Sequence, residues 1–139
     1  MTPDNIIQLW ASLEIAKFLT SEGLRATVES VRNFFSSTSR GQSIPADAQA
    51  VFLTDEGIEF VGTLLIISKP ILDYIADEIR KAETDYLVCL RGAQNRGERN
   101  RCDRDAEIYI CETLERAKLR NNGILPAPLD PVWIRYGCA

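Results

Sequence analysis

Few side chains in this sequence are equipped for chemistry, and most of those are arginines. Arg91, Arg96, Arg99, Arg101 and Arg104 fall within fourteen residues that also carry two glycines and two asparagines. Guanidiniums at that density bind phosphates or a carboxylate-rich surface. The plainer account is a solvated loop whose arginines pair with Glu98, Asp103 and Asp105. No aromatic residue is interleaved, which argues against base stacking on single strands.

Thiols come next. Cys89, Cys102, Cys111 and Cys138 form no C-x-x-C pair, and histidine is absent from the sequence. Structural zinc needs closely spaced Cys or Cys/His ligands, so no metal is expected. Reduced thiols acting as small apolar residues are the expectation. No P-loop, nucleotide fingerprint or nucleophile elbow is present. Without histidine, acid–base work falls to Asp, Glu or a tuned Cys. The carboxylate pairs Asp55/Glu56 and Asp103/Asp105 are accounted for by helix starts, so the sequence is read as non-enzymatic.

The net charge of −4 is unevenly spread. Acidic residues outnumber basic ones over 1–60, and basic ones lead over 91–120, so affinity for an anionic partner belongs to the second half. At 139 residues with 45% hydrophobic content, one domain with a real core is expected. A basic-then-apolar leader and a membrane span are both missing from the pattern, so the expected compartment is the cytoplasm, with no membrane partner.

The elements that must position these groups are helical. Residues 50–82 hold the longest apolar segment, opened by Thr54 as a cap with Asp55 and Glu56 at the positive end of the dipole. Ile58, Val61, Leu64, Leu65, Leu72, Ile75 and Ile79 recur at helical intervals, and Pro70 predicts a kink or break. A buried strand at 62–68 is the competing reading, and 50–52 reads as a short strand. Upstream, Thr2-Pro3-Asp4 predicts a helix start, Ile6, Leu9, Trp10, Leu13 and Ala16 a stripe, and Gly23 a stop. Thr27 caps a second helix with Val28, Val31, Phe34 and Phe35 inward. Residues 36–45 read as loop, with a helical turn at 46–50. The central helix extends past Arg80 through Leu90, and 92–100 breaks it. A last helix begins at Asp103 or Asp105 and ends at Asn121-Asn122-Gly123. The tail, 124–139, is rich in proline and expected to be extended. Trp133, Ile134 and Tyr136 make it too apolar to be free, so it packs on the domain or on a partner.

Two fragments carry a resemblance. Glu22-Gly23-Leu24-Arg25-Ala26-Thr27-Val28-Glu29-Ser30-Val31-Arg32 followed by Leu53-Thr54-Asp55-Glu56-Gly57 resembles, over residues 5–65, the winged helix-turn-helix and KfrA-type N-terminal DNA-binding domains. That resemblance implies a wing, a dimer and contact with duplex DNA through Arg25, Thr27, Arg32 and Arg40. Only Arg40 lies in the 36–49 gap where recognition helix and wing belong. Cys102-Asp103-Arg104-Asp105 is similar to the bilin-attachment site of phycobiliproteins, but the 34 residues that follow are too few for that family's remaining helices, and no cofactor is expected.

Together these readings give a mainly α protein: a helical domain at 1–123 around a kinked central core helix, with a small β hairpin near 48–53, and the tail at 124–139. The expected function is that of a small, dimeric, nucleic-acid-associated regulator of winged-helix type. Arg25, Thr27, Arg32 and Arg40 approach DNA, and Arg91 to Arg104 contact phosphates. The alternative is a helical protein–protein adaptor or assembly subunit, meeting a partner or a second copy through Trp133, Ile134 and Tyr136 and the apolar face of 58–79.

Overall fold

The computed structural model describes residues 1–138, all of one helical domain. In chain order it comprises α1 (Ile6–Glu22), α2 (Val28–Ser37), α3 (Ser39–Ser43), α4 (Ala46–Val51), α5 (Asp55–Leu64), α6 (Lys69–Gly92) and α7 (Arg96–Arg120). A 3-10 turn (Ala127–Leu129) and α8 (Asp130–Arg135) complete it, with no strand among the described residues.

The innermost helix is α1, not the 50–82 stretch. Leu9, Ala11, Leu13, Ile15, Ala16 and Leu19 point in different directions around its axis, yet none is more than 1% exposed. Contact from α2, α4, α5, α6 and α7 accounts for this, because a helix apolar on every side must be wrapped. Asn5 caps it rather than Thr2, accepting from the backbone N–H of Gln8 at 2.9 Å. Gly23 ends it in the left-handed conformation, at φ 65°, that glycine adopts without steric cost.

Thr54 starts α5 as expected, its hydroxyl accepting from the Gly57 N–H at 3.1 Å. Pro70, however, kinks no helix. Residues 65–67 leave α5 through successive i+3 turns, Ser68 is extended, and Pro70 sits in the first turn of α6, where its missing N–H costs no bond. The single bent helix is therefore two helices, and the competing strand at 62–68 is absent. The expected hairpin near 48–53 is absent too: α4 occupies 46–51, and Phe52, with no exposed surface, anchors its end in the core. The wing of a winged helix is thus missing. Within 36–45, expected to be loop, Thr38 caps the short α3.

The last two expectations fail for reasons of long range. The tail is not extended, because Asp130-Pro131 opens α8 and Leu129, Val132 and Tyr136 are buried in the core. The thiols are not reduced: Cys89 is bonded to Cys102, and Cys111 to Cys138. These bridges close intervals of 13 and 27 residues, each worth about 3 kcal/mol by loop-closure entropy. Cys102 therefore has no thiol to offer a bilin.

Two outcomes follow. A Cβ on Gly57 would lie 2.1 Å from the Val51 carbonyl oxygen, whereas one on Gly92 meets nothing within 4 Å. Gly57→Ala should cost at least ~1–3 kcal/mol in urea unfolding, and Gly92→Ala should add up to ~1 kcal/mol. Thiol titration of the denatured, unreduced protein should find no free thiol, with all four appearing only after reduction.

Candidate anion-docking tip of a helical hairpin

The arginines gather on the longest supersecondary unit, the antiparallel pair α6–α7. Ile71, Leu72, Ile75, Ile79 and Ala82 bury one stripe of α6, and Cys102, Ala106, Ile110, Leu114 and Ala117 bury the facing stripe of α7. Polar and covalent ties step down the pair from its free end. The Cys89–Cys102 bridge comes first, then the Tyr86 hydroxyl donating to Asp103 at 2.7 Å, then the Tyr109 hydroxyl donating to Glu78 at 2.6 Å. Burial and the Asp103 carboxylate push the Tyr86 phenol up to about 12. The hydrogen bond to Glu78, then burial, does the same for Tyr109. Glu78 is lowered, chiefly by that bond.

Only residues 93–95 join the two helices, so most of the 92–100 segment expected to be loop is helix. Asn95 is the reason. Its side chain accepts from the Glu98 N–H at 2.9 Å, while the Glu98 carboxylate accepts from the Gln94 N–H at 2.6 Å. This exchange satisfies two backbone donors at once. It starts α7 at Arg96, well before Asp103, and makes the arginines helical rather than loop residues.

Arg91, in the last turn of α6, complements the helix dipole. Arg96 and Arg99 stand in or beside the first turn of α7, where that dipole disfavours a cation. Arg96, Asn100 and Arg104 recur four apart and share a face, with Arg101 beside them. All five arginines are exposed, and among the described residues none forms an ion pair or a side-chain hydrogen bond. Of the three carboxylates expected to pair with them, Glu98 is engaged on the Gln94 backbone and Asp103 on Tyr86, while Asp105 is exposed and in no ion pair among the described residues. The tip is thus a rigid, locally cationic end on an acidic chain.

The other predicted residues do not join it. Arg25 and Arg32 are exposed at the far end of α1, whose 17 residues span about 25 Å. Lys17 reaches Asp77 in the first half of α6, whereas Asp4 and Asn5 lie beside Tyr86 and Asp103 near the tip. Thr27 spends its side chain as a cap on the Ser30 N–H. Arg40 binds Glu14 at 2.7 Å, and Glu14 is only 3% exposed, so this guanidinium neutralises a carboxylate inside the fold. In the tail, Tyr136 is buried with its hydroxyl donating to the Pro3 carbonyl at 3.1 Å, and Trp133 lies half-buried under the Lys118 ammonium. Ile134 is left bare at 77% exposure. The apolar face of 58–79 is spent on the core.

Fold and site define a mainly helical, disulfide-stapled single domain, and among the described residues no helix is long and apolar enough to cross a membrane. No protein-family model matches the chain, and no curated protein or solved structure matches it either.

Arg40→Ala leaves the Glu14 carboxylate buried without its partner. The partly exposed guanidinium tempers the loss, so a destabilisation of about 1–3 kcal/mol is expected by denaturant titration. Arg32→Ala should stay within about 0.5 kcal/mol of the parent.

Proposed function

We propose that this protein is a non-enzymatic binding module that docks the α6–α7 tip onto the phosphates of duplex nucleic acid. The observation that carries this reading is the set of five exposed arginines without protein partners, on a hairpin end held by the Cys89–Cys102 bridge. Arg96 and Arg99 stand against the local dipole, and none of the five arginines forms an ion pair with the carboxylates nearby, a departure from local stability rules of the kind that accompanies function. Gln94 and Asn100 add exposed amides of the kind that, with arginine, read base edges. Such docking would be by a helix end, not by a winged helix, since the wing is missing.

A second reading, the protein–protein adaptor, is favoured by two different observations. All four cysteines are paired, which suits an oxidising compartment, where nucleic-acid regulators are not the rule. Ile134 also presents an unpartnered apolar side chain beside Trp133.

Gel shifts on duplex DNA at low salt separate the two. Binding at micromolar protein should weaken steeply with salt, and each Arg→Gln change at 96, 99, 101 or 104 should lower the log–log salt slope by about one. Arg25→Gln and Arg32→Gln should leave the slope unchanged. No shift at micromolar protein, or a slope insensitive to the tip, sinks the nucleic-acid reading. An Ile134→Glu variant that stays folded but loses a dimeric mass in light scattering would support the adaptor.

A further inference from the structure

Beside the Cys89–Cys102 bridge, a notch of about 250 Å³ opens along the seam between α6 and α7. Its origin lies in the order of side-chain sizes along the two helices. Tyr86 crosses to Asp103 and Tyr109 crosses to Glu78, and Ala82 and Ala106 fall between those two levels. Two methyl groups cannot fill the space that two phenol rings hold open, so a gap is left where a packed seam would close. The buried alanines and the disulfide floor it.

The charged groups lining the notch have one sign. Asp85 from α6 and Asp105 from α7 stand exposed on it, and neither lysine nor arginine lines it. Each carboxylate has a cation one turn before it on its own helix and pairs with neither: Lys81 binds Glu78, and Arg101 forms no ion pair among the described residues. The rings are equally free. Of the four tyrosines, Tyr74 lies under Arg120 at 3.8 Å and Tyr136 under Arg135 at 5.5 Å, but Tyr86 and Tyr109 carry no cation from the described residues. Both are half-buried, so a ligand can reach them, and aromatic faces attract cations more strongly where water is partly excluded. A metal ion fits this set poorly, because among the described residues no three ligating side chains converge, and calcium or magnesium takes about six oxygens or more.

We infer that this notch binds a small organic ammonium cation, its charge met by the Asp85 and Asp105 carboxylates and the Tyr86 and Tyr109 rings, its apolar body resting on Ala82, Ala106 and the disulfide. The volume lies just under the ~300–1,000 Å³ of sites for drug-sized ligands, which keeps the ligand small. An anion of the same shape meets two carboxylates and no cationic side chain, and is repelled. The site uses none of the five tip arginines and stands or falls apart from the docking proposed for them.

Benzylamine, benzyl alcohol and benzoate share a ring and differ in charge, and they test the inference on the full-length oxidised protein at neutral pH. Benzylamine titrated to tens of millimolar should shift the backbone amide resonances of residues 82–86 and 102–109. Benzyl alcohol should bind more weakly, and benzoate should leave those resonances in place. Asp85→Asn and Asp105→Asn, both at exposed positions, should each weaken benzylamine about three-fold and together about ten-fold. Glu59→Gln, on α5 and outside the notch, should leave its affinity unchanged. A lysine side chain brought by a partner protein carries the same ammonium, and N-acetyl-lysine amide stands in for it. It should bind more weakly than benzylamine, because its thin chain covers less of the two rings. Benzoate or benzyl alcohol binding as tightly as benzylamine overturns the inference, as do the absence of shifts at those residues, affinity unchanged in the double asparagine variant, and tighter binding of the lysine derivative.

Discussion

A charged group on a helix enclosed by its neighbours has to be given a partner inside the fold, and that constraint on α1 organises the molecule. Ser12 and Glu14 go inside with Leu13 and Ile15. Ser12 resolves this locally, its hydroxyl donating to the Leu9 carbonyl at 2.7 Å. Glu14 cannot, and it recruits Arg40 from 26 residues away. The α2–α3 corner is thereby fixed against α1 at the position that delivers the guanidinium. Burying a carboxylate is tolerable only with such a partner, so the pair specifies where α3 sits more than it adds to stability.

From that arrangement the rest follows in layers. α2 closes one side through Val31 and Phe34, whose ring lies 5.3 Å from that of Phe18. The α5 helix and the α6–α7 pair close the remainder, and α8 with its preceding turn seals the edge. The hairpin pairs the two longest helices among the described residues, and its exposed end is where the arginines lie. Rigidity there comes from a covalent bridge and two tyrosine–carboxylate bonds, not from apolar packing, because Val88 and the residues beyond Leu90 are largely exposed.

What the sequence made legible is local. Thr54 before Asp55-Glu56, Gly23 after Leu19, and Thr27 before Val28 each announce a boundary through chemistry within four residues, and each stands in the structure. Asn95 with Glu98 was equally readable as a cap with its reciprocal acid, but two flanking glycines made the segment look like loop. What was illegible depends on distant partners. Glu14 reads as solvent-facing until Arg40 is placed, and the cysteines read as isolated until α8 folds back onto α7. Pro70 shows the limit of a local rule: proline disrupts a helix interior and suits a first turn, and only the break at 65–68 decides which applies. At the site, the arginine cluster was legible as composition, while its geometry and its separation from Arg25 and Arg32 were not.

The Cys111–Cys138 bridge ties the C-terminal segment to the middle of α7. With the Tyr136 hydroxyl on the Pro3 carbonyl and Arg135 on the Asp4 carbonyl, it ties the last turn of the protein to its first. Asp4 and Tyr136 border the same hollow as Tyr86 and Asp103. An insertion at the exposed Gly123 turn would leave that hollow and the arginines untouched.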